Sequence, residues 1–338
     1  MNDVSPRALL AQSLVWDNHG CMPLRPDDET FLPQLARYKA AGVNAVTLNV
    51  GFGEQGVEPH VRMIAHFRRW LAQHRDDYML ATTPDDIERA RRAGKLAVLF
   101  DIEGMNAVAD QPSLVQLYYD LGVRWMLIAY NQHNPAGGGC QEADDPGLTA
   151  YGRQILDEMA RVGMVACCSH TGQRTAMDVM AYSSKPVLFS HSNARAIHDH
   201  PRNVHDDALK ACAATGGVVG LNGIGIFIGG KGRLVDGLIR HIDHVVQLIG
   251  IEHVGLGLDY VFDQGELDDL LTNKTIFPPE LGYEAGIQMV PPEAMEEIVS
   301  GLSKLGYSAD DLRAILGGNL LRVARQVWRQ PFGAAAAA

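Results

Sequence analysis

The chain has 338 residues, 46% of them apolar, and a formal net charge of -11. That balance argues against a nucleic-acid surface and supplies a large core. Five cysteines, an odd number with no CxxC spacing, speak against a disulfide framework and for a reducing, cytoplasmic setting.

At the N-terminus, MNDVSPRALL lacks a basic segment leading into an apolar stretch, and no later run reaches membrane-spanning length. Short apolar, β-branched runs then recur at 13–17, 43–50, 96–102, 123–129, 164–168, 187–190, 217–221 and 253–258. They are almost continuously apolar, as strands buried on both faces of a parallel sheet must be. Amphipathic helical stretches lie between them. DDIERARRA at 85–93 follows Pro84 and stops before Gly94; 148–162 and 235–249 also end at glycines.

Eight strands alternating with helices predict a (β/α)8 barrel of the TIM type, with a doubly wound open sheet as the runner-up. Segments 51–80 and 261–292 fit the repeat poorly and read as loop insertions at the carboxyl-terminal rim. Residues 1–330 are expected to form one barrel, with GAAAAA inside a tail at 331–338.

Polar residues gather at the strand ends. The first ends in His19 and Cys21, the third in Asp101 and Glu103, the fifth in His170, the sixth in His191 and the eighth in Asp259. A barrel brings all these ends to one rim. Imidazoles, carboxylates and a thiol together suit a divalent transition metal such as zinc. Residues two apart on a strand share a side, so His19 and Cys21 can grip one ion. Any one of these histidines alone would be read as a structural residue; their joint placement favours a metal site. Cys167, Cys168 and Cys212 read as small hydrophobes. His198, His200 and His205 in HDHPRNVHDD read as surface or capping residues, and GIGIFIGGKG lacks the GK[ST] ending of a phosphate loop.

These pieces resemble the membrane (renal) dipeptidase family of zinc peptidases, within the amidohydrolase-like barrels. The resemblance is carried by WDNHGCMPL, DIEG, LGVRWMLIAYNQHN, SHTG, FSHSNARAIHDHPRNVHDD and GLGLDY, in the family's order. It implies two zinc ions per chain. His19 and Cys21 would hold the first, Glu103 would bridge, and His170 and His191 would hold the second. It further implies that Asp259 transfers protons beside the bridging water and that Arg202 binds the substrate carboxylate.

Three positions depart from the family pattern. Cys21 stands where an Asp is usual, Tyr130 where a His contacts the oxyanion, and Ile224 where a substrate-pocket Tyr is found. The expected activity is hydrolysis of a dipeptide-like amide bond in a small carboxylate-bearing substrate, with Asp259, Glu103 and Tyr130 catalytic. A lactam, ester or lyase reaction, or a metal-binding barrel without turnover, is the alternative. A homodimer is the expected assembly, though no interface is legible.

Overall fold

A computed structural model describes residues 5–230 and 232–329. The tail expected at 331–338 lies outside the described residues. Ten strands occur among them: β1 Trp16–Cys21, β2 Ala45–Phe52, β3 Tyr78–Leu80, β4 Leu96–Glu103, β5 Val123–Leu127, β6 Val165–Cys167, β7 Leu188–Phe189, β8 Val218–Leu221, β9 Val254–Leu256 and β10 Tyr260–Val261.

Eight of them close a parallel barrel in the order β1-β2-β4-β5-β6-β7-β8-β9, sealed where Asp17 of β1 pairs with Leu256 of β9. Closure rules out the open doubly wound sheet. Each of the eight apolar runs read from the sequence overlaps one of these strands.

The alternation of β4 shows how the residues divide. Leu96, Val98, Phe100 and Ile102 face outward into a core shared with the helices. Ala97 and Leu99 face the lumen, packing with Trp16, Trp125 and Leu188. The same lumen cluster takes in Leu320, Leu321 and Val327, so helix Asn319–Val327 packs against the lumen residues. Large residues fill the lumen toward that helix, and polar ones are left for the rim.

Segment 51–80 departs from expectation. Most of it is helix Val57–Gln73, which buries Met63, Ile64, Phe67 and Trp70 in the outer core as an ordinary crossover. It ends in β3, which pairs with the start of β4, at the opposite end from the rim. Only the residues around Phe52 and Gly53 reach the mouth, where the Gly53 N–H donates to the Glu103 carbonyl. The second segment is a true rim insertion. It carries β10, helix Gln264–Leu270 and short 3-10 turns, and folds around Leu271, Phe277, Tyr283 and Ile287. No described helix is long and apolar enough to cross a membrane.

Candidate metal centre

Strand geometry delivers the site. On β4 the inward phase that places Ala97 and Leu99 in the lumen continues to Asp101 and Glu103. On β1, Trp16 and His19 are three residues apart and would face opposite sides of a regular strand. The register shifts between Asp17 and Gly20, and this irregularity turns His19 and Cys21 inward as well. Gly20 between them lets the buried Tyr38 approach: a Cβ there would lie 2.4 Å from the Tyr38 hydroxyl, which would have to shift. Asn131, His170 and Asp259 all sit in the left-handed backbone region, with φ of 57, 61 and 58 degrees. Three such non-glycine residues at one rim mark a site where packing holds strained backbone in place.

The side chains converge tightly. Glu103 Oε1 lies 3.0 Å from His191 Nε2, 3.5 Å from His170 Nε2 and 3.6 Å from His19 Nε2. The His170 and His191 Nε2 atoms are 2.9 Å apart, and the His19 and His191 rings stack at 3.9 Å. Asp259 Oδ1 is 3.5 Å from His19 Nε2, and Cys21 Sγ is 3.6 Å from that nitrogen and 3.5 Å from Asp259 Oδ1.

Despite these distances, Glu103 Oε1 is buried and aligned with none of its neighbours for a hydrogen bond. A buried carboxylate oxygen ringed by imidazole nitrogens, yet unpaired, has the donor arrangement that a cation requires. Two ligand sets follow: Glu103, His170 and His191 in one, and His19, His191 and Asp259 in the other. The donors fit a divalent transition metal.

A second row orients the first. His19 Nδ1 lies 2.6 Å from Asp101 Oδ2, His170 Nδ1 2.7 Å from Asn131 Oδ1, and His191 Nδ1 2.8 Å from Ser190 Oγ. Each imidazole is thereby turned so that Nε2 points at Glu103. Asp101 is itself held by the Trp125 indole N–H at 3.3 Å.

Electrostatics differ across the centre. Burial, reinforced by Arg202, pushes His170 well below its ordinary pKa. Burial and then His19 do the same to His191. Both are therefore neutral and ready to ligate. Burial pulls His19 the same way, but the carboxylates of Asp101 and Glu103 outweigh it and hold the ring well above its usual value. Burial raises Glu103 and the Cys21 thiol.

The remaining sequence candidates surround this cluster. The Tyr130 ring stacks on His170 with centroids 4.1 Å apart, and its phenol, pushed up by burial and then by Glu103, stays protonated. Ile224 is buried in the wall of a cavity of about 110 Å³ whose floor includes Glu103, His170 and Asp259. Arg202 does not line that cavity. It opens on a neighbouring polar cavity of about 330 Å³, with His170 as the shared wall. It is 2% exposed; Nη2 donates to the His191 carbonyl at 3.2 Å and Nε has no partner.

Sequence reasoning placed Asp101 at the rim without an individual role and singled out neither Asn131 nor Ser190. For Asp101 the signal existed, since it shares a face with Glu103. Ser190 precedes a ligand directly, and nothing marked Asn131 beyond its place after Tyr130. His200 corrects the reading of HDHPRNVHDD as surface and capping residues. It is 5% exposed, and Nε2 donates to the Leu281 carbonyl of the rim insertion at 3.0 Å. His205, at the N-cap of helix Asp206–Ala214, stays exposed. Cys167, Cys168 and Cys212 are buried as expected.

The chain is 36% identical over 201 residues to an uncharacterized dipeptidase, C965.12, of Schizosaccharomyces pombe, a match covering 57% of this chain and 48% of that protein. It is 30% identical over 258 residues to dipeptidase verJ of Clonostachys rogersoniana, covering 75% of this chain and 61% of the relative. These matches thus span about half to three fifths of the curated relatives' length. Among solved structures, an amidohydrolase from Pseudomonas aeruginosa superposes with a TM-score of 0.85 at 28% identity, covering 96% of this chain and 99% of that one. The family model for membrane dipeptidase, peptidase family M19, matches residues 29–277, and the chain belongs to that family.

Proposed function

We propose that this protein is a zinc-dependent hydrolase that cleaves the amide bond of a dipeptide-like, carboxylate-bearing substrate. The observation that carries the reading is Glu103 Oε1, buried and unpaired among three imidazole Nε2 atoms. Two zinc ions per chain would fit this cluster, with His170, His191 and Glu103 holding one and His19, Cys21 and Glu103 the other, and Asp259 beside them as the proton carrier. Bound there, the metal supplies Lewis acidity that polarises a carbonyl and lowers the pKa of water from about 15.7 to near neutral.

The chain's own groups do the rest. Asp259 Oδ2 accepts from Asn222 Nδ2 at 2.9 Å, which fixes the carboxylate and leaves Oδ1 facing the centre. Oδ1 takes the proton from the attacking water and returns it to the leaving nitrogen. The protonated Tyr130 phenol, held over His170, donates to the oxyanion that develops on the former carbonyl. Arg202, with one edge spent on the His191 carbonyl and Nε free, holds the substrate carboxylate. Five free thiols support a cytoplasmic setting.

The test is elemental analysis of protein purified without added metal, alongside hydrolysis of L,L and L,D dipeptides. Two zinc per chain with turnover is expected; no bound metal would end the proposal. Cobalt substitution examines Cys21 separately. A sulfur-to-cobalt charge-transfer band should appear in the wild type and vanish in Cys21→Ser.

A further inference from the structure

The cavity over the metal centre has unlike ends. Its floor is polar, with Cys21, Glu103, His170 and Asp259. Its upper walls are apolar and come mostly from the rim insertion, through Leu267, Leu270, Leu271, Phe277 and Ile287. Ile224 and Phe227 complete them from the loop after β8, and Ile224 bridges to Met289 of the insertion. Ile224, Phe227, Leu271, Phe277, Tyr283 and Ile287 form a hydrophobic cluster separate from the two that hold the barrel. The insertion therefore folds around its own apolar nucleus, and one face of that nucleus is the cavity wall.

The carboxylates of the upper cavity are already engaged. Asp263 and Glu266 reach it, but Arg25 pairs with both, at 2.9 Å from Asp263 Oδ2 and in direct contact with Glu266. Glu266 Oε1 also accepts the Leu24 N–H at 2.9 Å. No Lys or Arg lines the cavity among the described residues. An acidic side chain entering it would lose hydration and meet no cation, and a basic one would have to compete with Arg25 for carboxylates it already holds, at the same loss of hydration, whereas an apolar one would leave water for a matching surface.

The position of Arg202 sets the substrate's direction. It lies across His170 in the neighbouring polar cavity, so a carboxylate anchored there runs the substrate over the centre. One side chain is then left in the apolar cavity. We infer that this enzyme selects dipeptides bearing one large branched or aromatic apolar side chain, which the rim insertion encloses. The inference rests on the hydrolase reading for the placement of the scissile bond, while the wall's preference is a property of the cavity itself.

The two are separated by measuring binding and turnover independently on the zinc-loaded full chain. Calorimetry with phosphinate dipeptide isosteres carrying Ala, Leu, Phe, Glu or Lys at each position reads the cavity. The Leu or Phe isostere is expected to bind about 10- to 100-fold tighter than the Ala one at one position only, and Glu and Lys more weakly than Ala. Leu270→Ser and Ile224→Ser should each shrink the Leu-to-Ala ratio several-fold; the wild-type series decides the matter even if a variant fails to fold. A flat series, or a preference for Glu or Lys, overturns the inference. Apolar-selective binding without turnover of any dipeptide sinks the hydrolase reading and leaves the inference standing; turnover with flat binding does the reverse.

Discussion

On the floor of the site, each of three imidazoles is pinned through Nδ1 within 2.8 Å of a fixed partner, His19 on β1 and His170 and His191 just past the ends of β6 and β7. The roof a few ångströms above is held by apolar packing and by a handful of bonds to the barrel. Among these are His200 to the Leu281 carbonyl, Gln141 to the Tyr283 hydroxyl at 3.1 Å, and the Val290 N–H to the Gly223 carbonyl at 2.9 Å. On the proposed reading, metal and bond cleavage depend on the floor, and the choice of substrate depends on the roof. If that division is right, substitutions on one side should leave the other's readout unmoved.

The largest effect should come from Asp259→Asn. The amide can still accept from Asn222 but cannot carry a proton, so kcat should fall about 100- to 10,000-fold. Zinc content and the binding of phosphinate isosteres should stay within error. Loss of metal from this variant would reassign Asp259 from proton carrier to ligand, a reading its closeness to His19 and His191 also permits.

Next in size is Asp101→Asn. Asp101 is buried and lines neither cavity; it holds His19 through Nδ1, and with an amide in its place zinc should bind about 10- to 100-fold more weakly, as chelator competition would show. Selectivity between Leu and Ala isosteres, measured at saturating zinc, should not change. A shift in that ratio would mean that floor and roof are coupled.

The same division explains what the sequence disclosed. Parallel strands buried on both faces write themselves as continuous apolar runs, so the barrel was legible from runs such as LAVLFDIE. Once a barrel is accepted, its strand ends must converge, which is why His19, Glu103, His170, His191 and Asp259 could be gathered from five distant places. The register shift that turns His19 inward was not legible, because a bulge depends on the neighbouring strand's pairing. Nor were the left-handed conformations of Asn131, His170 and Asp259. The roof was least legible. Its apolar residues have no period to announce them, and His200 reads as a surface residue until Leu281, 81 positions on, is folded beside it.

The smallest prediction concerns that contact. His200 Nδ1 accepts the Arg202 N–H at 3.1 Å while Nε2 donates to Leu281, so the ring must be neutral. Burial pushes its pKa down to about 4, against the opposing pull of the Leu281 carbonyl. An unfolded histidine binds its proton near pH 6.5. Between about pH 6.5 and 4 the unfolded chain thus holds a proton that the folded chain refuses. The contribution is full above that window and is lost as the pH falls through it. His241 has the same two-sided bonding, to the Ala194 N–H and the Ile228 carbonyl, and is also pushed down to about 4, so it supplies a background that His200 variants retain. His200→Ala should cost about 1 kcal/mol at pH 7, leave zinc content unchanged and raise KM only a few-fold. Urea unfolding of both proteins at pH 7 and pH 5 checks it. The gap between the two pH values should narrow in the variant, and an unchanged gap would remove His200 as the group that ties the roof to the barrel in its neutral form.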